Sequence, residues 1–391
     1  MDNFPIVLGL CRAAMQGGNP AVRTHLERLS RALEKEGARD QLEAVRKLLS
    51  TPEELSEIVP SRVVLSRAAV RGEMLTPSVA APVDKETSTP LAEIVHPHGA
   101  TLEKPIFNES LELALSHLIR EWMHADQLQA ANLSPALATM LYGAPGTGKT
   151  MLARYVAQQL GLPLVVARLD GLISSFLGTT ARNISTLFSF ANRYRCVLLL
   201  DEFDAVAKLR DDPHELGEIK RVVNTLLQCI DSRAAFGFTI AITNHENLLD
   251  PAVWRRFDIR IEVPHPEVGV RTALFERLLP HALFAAEQRL FLAWLTEGYT
   301  GSDIKKLTEF LLRQAAIAKQ DFNFLQAVRT QVQLSAHSDE SANRKALLVG
   351  DEALARLLAR DETIVFSQDQ LKALFGCSQS TISRWLKKQR K

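Results

Sequence analysis

Residues 143–150 read Gly143-Ala144-Pro145-Gly146-Thr147-Gly148-Lys149-Thr150. The segment follows a β-rich apolar run at 137–142 and precedes a helical pattern that begins at Met151. Its glycines allow backbone N–H groups to curl around phosphate oxygens, and the start of the next helix adds a partial positive charge. The terminal lysine and hydroxyl suit nucleotide phosphates and Mg²⁺. We therefore predict a phosphate-binding loop in which all eight residues, and Met151 after them, contact the nucleotide.

A second part of the same site is predicted where residues 196–202 end an apolar run in Asp201 and Glu202. A run that is apolar throughout is typical of a parallel strand buried on both faces, and ligands bind at the carboxyl edge of such sheets. We expect Asp201 and Thr150 to hold Mg²⁺, and Glu202 to activate the water that attacks ATP. The alternative is a pair of exposed acids at a strand end.

The wider pattern predicts an α/β fold with a doubly wound parallel sheet, because β-rich runs alternate with helical patterns. These runs span 137–142, 164–168, 197–200, 239–243 and 259–263. The expected organisation is a helical N-terminal module at 1–75, a proline-containing linker at 76–100, a large α/β subdomain at 101–265, a helical lid at 266–360 and a basic tail at 361–391. The N-terminal module is either an ordinary helical bundle or a docking site for a partner.

Composition excludes several classes of protein. The chain has 391 residues, 46% of them hydrophobic, and 46 basic against 45 acidic residues, which excludes a disordered chain and a wholly basic nucleic-acid-coating protein. Its four cysteines form no CxxC pair, as expected in a reducing compartment. No apolar run approaches the ~20 residues of a membrane helix, and no basic region precedes the apolar N-terminus. We expect a soluble, cytoplasmic protein with no membrane partner.

Three further motifs give the chain a family resemblance. Residues 239–244 form a strand pattern ending in Asn244, which resembles the sensor 1 motif. Residues 250–258 read Asp-Pro-Ala-Val-Trp-Arg-Arg-Phe-Asp and resemble the second region of homology. Residues 298–303 read Gly-Tyr-Thr-Gly-Ser-Asp and resemble the glycine-rich start of the lid helix. With the phosphate loop and the acidic strand end, residues 101–310 resemble an ATPase of the AAA family, in its AAA-proper branch.

The resemblance implies a P-loop AAA core with a helical lid, ATP and Mg²⁺ as cofactors, and a ring hexamer. It implies that Asn244 is catalytic, that Gly301 and Ser302 contact adenine, and that Arg255 and Arg256 reach the γ-phosphate of a neighbouring subunit. The family separates these two arginines by a two-residue spacer that is missing here, which leaves their division of labour open. A pair of surface salt-bridge arginines is the alternative.

Residues 171–178 occupy the position of the family's pore loop, which implies that Phe176 and Leu177 grip an unfolded polypeptide in a central channel. A core phenylalanine is the alternative. The layout resembles bacterial AAA ATPases encoded beside subtilisin-like serine proteases. That implies a ring that remodels or unfolds a protein client, with a protease partner in stress or phage defence.

The C-terminal segment resembles a bacterial helix-turn-helix, with helices expected at 367–375 and 378–388 around Gly376 and Cys377. Lys372 departs from that pattern, which usually has alanine there. From Gln370 to Lys391 there are six basic residues and no acidic one, which suits a phosphate backbone. This predicts a DNA-associated regulatory ATPase as the alternative function, or else a hairpin that packs on a protein. The expected DNA-contacting residues are Gln379, Ser380, Thr381, Arg384 and Lys387.

Overall fold

The computed structural model describes residues 72–97, 103–168, 172, 177–205, 216–234, 236–334 and 342–387, together with a few positions between 29 and 45. The chain divides into two compact units, Met1–Arg67 and Ala68–Lys391. In the first unit, the described positions are helical, and Leu33 and Val45 are buried. The remainder of the predicted N-terminal module lies outside the described residues.

The second unit contains a six-stranded sheet, a two-stranded sheet and two groups of helices. In chain order its elements are β1 (Glu73–Met74), β2 (Ala92–Val95), α1 (Glu109–Met123), α2 (Ala125–Ala130), β3 (Ala138–Tyr142), α3 (Lys149–Gln159), β4 (Leu164–Ala167), α4 (Leu177–Ala191), β5 (Tyr194–Arg195), β6 (Val197–Leu200), α5 (Leu216–Asp231), β7 (Phe238–Thr243), α6 (Pro251–Trp254), β8 (Ile259–Glu262), α7 (Val268–Leu278), α8 (Ala286–Leu295), α9 (Gly301–Ala318), α10 (Phe324–Leu334), α11 (Ala342–Val349), α12 (Asp351–Leu358), α13 (Gln368–Phe375) and α14 (Gln379–Lys387). Short 3₁₀ turns follow β7 and α9.

The main sheet has the order β2-β4-β6-β7-β3-β8, and all its pairs are parallel except β2 with β4. Successive residues of β6 face opposite sides because strand side chains alternate. Leu198 and Leu200 pack in one core with α4 and α5, whereas Val197 and Leu199 pack in another with α1 and α3. The sheet is therefore buried between two helical layers, and the predicted α/β fold is confirmed.

The linker predicted at 76–100 does not match this arrangement, because β2 within it pairs along its whole length with β4. Leu91, just before β2, is completely buried. Upstream, the Asp84 carboxylate accepts hydrogen bonds from the backbone N–H groups of Glu86 and Thr87 and from the Asn183 side chain on α4. The bonds to Asn183 and the backbone lower the pKa of Asp84, against a smaller opposing effect of burial. Much of this segment is thus part of the α/β unit.

Helices α7 to α14 share one hydrophobic core, which includes Trp294 of α8, Leu311 of α9, Leu371 of α13 and Ile382 of α14. The boundary predicted at 360/361 therefore does not separate two cores. The tail helices are held to the rest of the lid because their apolar side chains complete its interior. Of the residues that the structure describes, none belongs to a helix that is long and apolar enough to cross a membrane.

Candidate nucleotide-binding site

The glycine-rich loop connects β3 to α3 at the carboxyl edge of the sheet. Gly146 has φ +80°, and a Cβ atom there would lie 2.8 Å from Oγ1 of Thr300. Gly143 has φ +134°, and its Cβ would lie 2.5 Å from the carbonyl oxygen of Val263. Both positions need glycine for conformation and for space. The loop can therefore bring its backbone close to a bound phosphate.

Lys149, the first residue of α3, is buried. Its Nζ donates to the carbonyl oxygens of Gly143, at 2.8 Å, and Ala144, at 2.6 Å. Burial lowers the pKa of the amine, while the charge of Asp201 acts in the opposite direction. A buried cation that donates to neutral carbonyl groups is well placed to exchange them for anionic phosphate oxygens.

The strand-end acids lie beside this loop. Thr150 Oγ1 donates to Asp201 Oδ2 at 2.9 Å, so a hydroxyl and a carboxylate meet directly after β6. Such oxygen donors are the ligands that Mg²⁺ prefers, and the residues present therefore fit this ion. Asp201 Oδ1 accepts from the backbone N–H of Glu202, whose own side chain is exposed. Glu202 has φ +53°, a conformation that is uncommon for a residue with a side chain and is concentrated at functional sites.

Asn244 follows β7, the strand that neighbours β6, and its side chain is half-buried. The next residue, His245, has its Nε2 atom 3.9 Å from Asp204 Oδ2. Parallel neighbours end at the same edge of the sheet, so Asn244 lies on the same edge as Asp201 and the glycine-rich loop.

The two adjacent arginines occupy different environments. Arg256 Nη1 lies 2.9 Å from Oδ2 of Asp231, the last residue of α5. Arg255 is the C-cap of the short helix α6, and its side chain is exposed. Among the described residues, no hydrogen bond or ion pair engages the Arg255 guanidinium. Arg255 is thus available to a second molecule, whereas Arg256 already has a carboxylate partner.

The lid contacts the glycine-rich loop through the start of α9. The backbone N–H of Ser302 donates to the carbonyl oxygen of Gly146 at 3.1 Å. Thr300 and Asp303 form a capping box that fixes this helix start, which places Gly301 and Ser302 on the loop.

A cavity of about 520 Å³ lies between the glycine-rich loop, the start of α9 and α7. Met151, Gly301 and Ser302 line it, together with residues that sequence analysis missed: Ile106, Phe107, Asn108, His265 and Leu274. The segment before α1 forms one wall, because Arg277 of α7 donates to the carbonyl oxygen of Lys104 and Asn108 donates to Glu267. A volume and an apolar wall of this kind suit a planar base next to the phosphate loop.

The remaining predicted site residues are the pore pair and the residues expected to contact DNA. Phe176 falls outside the described residues, and Leu177 begins α4 with a side chain that is not described. In the tail, α13 and α14 are present, and Gln379, Ser380, Arg384 and Lys387 are exposed while Thr381 is half-buried.

The fold, the loop with its buried lysine and the strand-end acids define a P-loop nucleoside triphosphatase. Residues 139–265 match the model of the ATPase family associated with various cellular activities (AAA). The proteasome-activating nucleotidase of Saccharolobus solfataricus is 30% identical over 302 residues, which cover 67% of this chain and 76% of that protein. The chain belongs to the AAA family and is an ATPase.

Two other comparisons agree with this family and its fold. An uncharacterized AAA family ATPase of Sinorhizobium fredii, y4kL, is 40% identical over 215 residues, or 53% of this chain. The match spans 64% of y4kL, less than two thirds of its length. The crystal structure of the FIGL-1 AAA domain matches 62% of this chain and 89% of that chain, with a TM-score of 0.50 and 23% identity. At that identity the likeness supports the fold alone.

Proposed function

We propose that this chain assembles into a homo-hexameric ring that uses ATP hydrolysis to remodel or unfold protein clients. The observation that carries the proposal is the exposed guanidinium of Arg255 at the end of α6, which no described residue engages in a hydrogen bond or ion pair. An arginine that completes a neighbour's site accelerates phosphoryl transfer by about 10³–10⁵-fold, and it acts only between subunits. The printed name of the Saccharolobus solfataricus relative supports an action on protein substrates.

The roles at the site follow from its contacts. Lys149 exchanges its two carbonyl partners for phosphate oxygens and neutralises charge on the leaving group. Glu202 accepts a proton from the water that attacks the terminal phosphorus, and Asn244 orients that water. Thr150 and Asp201 would hold Mg²⁺, which supplies electrostatic stabilisation of the phosphates. The cavity lined by Phe107, Met151 and Ser302 receives the base.

The work on the client is assigned to Phe176 and Leu177. An aromatic ring grips varied side chains through apolar contact and needs no sequence readout, which suits a polypeptide of any sequence. A protease partner that degrades the unfolded client, in stress or phage defence, is part of the proposal. Its support is the resemblance to ATPases encoded beside serine proteases, together with the name of the proteasome-activating relative.

The experiment measures ATP-dependent unfolding of a folded fluorescent client, read as its susceptibility to added subtilisin. We expect Phe176→Ala to keep ATPase activity and to lose client unfolding. Phe176→Tyr is the matched control, because it keeps an aromatic ring and is expected to keep unfolding. Client unfolding by Phe176→Ala at the wild-type rate would overturn the pore assignment. A wild-type chain that hydrolyses ATP but never sensitises a client would overturn the remodelling function.

A further inference from the structure

Helix α14 carries a polar and basic stripe along one face. Ser380, Ser383, Arg384 and Lys387 are spaced i, i+3, i+4 and i+7, which places them on one side of a helix. The same four side chains line one open concavity of about 500 Å³. The opposite side of α14 holds Ile382, which is completely buried in the lid core. We call these four residues the α14 stripe.

Helix α13 supports α14 and leaves the stripe uncovered. It ends at Phe375, its C-cap Gly376 has a φ of +62° that allows a sharp turn, and α14 begins at Gln379. Phe375 and Trp385 pack edge to face with ring centroids 5.7 Å apart. The pair is therefore two short helices joined by a tight turn, with the second helix presenting its outer face, as in a helix-turn-helix.

The charge of this surface favours a polyanion. Six basic residues and no acidic residue lie between Gln370 and Lys391: Lys372, Arg384, Lys387, Lys388, Arg390 and Lys391. Helix α12 packs on α14, and its acidic residues are already neutralised by ion pairs: Asp351 with Arg329, and Glu352 with Arg356. Asp369, at the start of α13, is the one acidic residue of α13 and α14.

The stripe lacks the features of a protein-docking surface. Hot spots of protein interfaces centre on buried aromatic or aliphatic anchors. Within α13 and α14, both described along their whole length, no large apolar side chain is exposed. Hydroxyl, guanidinium and ammonium groups are instead the donors that contact phosphates and base edges, and a single helix fits the major groove.

We propose that the α14 stripe binds duplex DNA, with α14 in the major groove and Lys387 on the phosphate backbone. Ser380, Ser383 and Arg384 then face the base edges, where an arginine reads guanine by paired donors. This proposal is independent of the remodelling function, since it assigns a ligand to a different surface.

The lid connects this surface to the phosphate loop. Arg356 of α12 donates to the carbonyl oxygen of Trp385 at 2.7 Å, which holds α14 to the lid. The lid in turn contacts the glycine-rich loop through Ser302 and Gly146.

The test measures fluorescence anisotropy of a duplex of about 20 base pairs with the full chain, at about 50 and 200 mM salt. We expect saturable binding that weakens steeply with salt. Arg384→Glu/Lys387→Glu should weaken binding by at least about tenfold and lower the salt slope by about one, because Lys387 is the phosphate contact of the pair. Arg313→Glu/Lys345→Glu makes the same charge change at exposed lid positions away from the stripe and should bind within about twofold of wild type.

Basal ATPase activity and circular dichroism report whether each variant is folded. Absence of duplex binding at low salt, with and without ATP, would overturn the proposal. An equal loss of DNA affinity in both double variants would also overturn the proposal, because binding would then follow net charge alone. If the chain bound casein but not DNA, and only Arg384→Glu/Lys387→Glu lost casein binding, this face would be assigned to protein instead.

Discussion

Arg256 and Asp231 form an ion pair, with Nη1 and Oδ2 2.9 Å apart, while the adjacent Arg255 stands exposed. Asp231 already holds the guanidinium of Arg256, which leaves Arg255 as the arginine of the pair that we expect to reach a neighbouring site. We expect Arg255→Ala to lower the ATPase rate by about 10³-fold or more without loss of ATP binding. Arg256→Ala should lower it far less, because the guanidinium of Arg256 is already held by Asp231 at the end of α5.

An exchange of charges separates these roles. Asp231→Arg combined with Arg256→Asp restores the ion pair in reverse and should recover the activity that Asp231→Arg alone loses. Recovery would show that Arg256 positions α6. Failure of the exchange, with Arg256→Ala as inactive as Arg255→Ala, would show that Arg256 acts on the phosphate itself.

A methyl group at Gly146 should impair nucleotide binding. The residue has φ +80°, and its Cβ would lie 2.8 Å from Thr300 Oγ1 and 3.0 Å from Ser302 Cβ. Strain of this kind costs about 1–3 kcal/mol, equivalent to about 5- to 150-fold in affinity. Titration with a fluorescent ATP analogue measures the effect of Gly146→Ala. The control is Gly269→Ala in α7, where a Cβ meets nothing within 4 Å and affinity should not change.

Arg233 should stabilise the α/β unit strongly. It is buried, and its guanidinium donates to the carbonyl oxygens of Ala191 and Cys196 and to Asn192 Oδ1. Burial lowers the pKa of this arginine. Arg233→Ala removes the guanidinium donors from these acceptors and leaves a cavity, and we expect a loss of about 2–4 kcal/mol in the free energy of unfolding. Denaturant unfolding tests this against exposed Arg195→Ala. A loss under about 1 kcal/mol would contradict the role.

Asp361 should make the lid sensitive to acid. Burial acts to raise the pKa of its carboxyl, but hydrogen bonds from Thr363, Trp294 and the backbone of Ile364 outweigh it and lower the pKa from 3.8 to about 2. Because the folded-state pKa is depressed, the stabilisation is present above about pH 4 and is lost as pH falls towards 2. Asp361→Asn should flatten this decline and cost about 1 kcal/mol at neutral pH, a value discounted for partial exposure.

Unfolding midpoints between about pH 5 and pH 2 measure this effect. Glu362→Gln changes the exposed neighbouring acid and should keep the wild-type profile. If the stability of Asp361→Asn fell with acid as steeply as that of the wild-type chain, the charge of Asp361 would not stabilise the lid through its hydrogen bond with Trp294.

The α/β fold was predictable because buried parallel strands are unbroken apolar runs, and Val197–Leu200 is completely buried. The linker prediction was wrong for 92–95 because proline breaks helices, whereas Pro90 lies two residues before the edge strand β2, where proline is tolerated. The tail boundary failed for a different reason: the apolar spacing of Leu371 and Ile382 satisfies a two-helix unit and a shared lid core equally well.

The phosphate-contacting part of the site was predictable because backbone curvature and charge fix its residues locally. The wall formed by Ile106 and Phe107 was not, since it depends on Arg277 and Glu267, which lie more than a hundred residues along the chain. The sequence also could not distinguish Arg255 from Arg256. Arg256 has a carboxylate partner because α5 ends beside it at Asp231, and no local sequence pattern encodes that contact.

The central claim is that each site is completed by Arg255 of a neighbouring subunit, and mixed rings test it most directly. Glu202→Gln and Arg255→Ala chains are each expected to be nearly inactive alone. In a mixture, an Arg255→Ala subunit keeps its own Glu202 and receives Arg255 from a Glu202→Gln neighbour. We predict that mixing restores a substantial part of the ATPase rate. A mixture as inactive as its two components would contradict a ring with arginines acting between subunits.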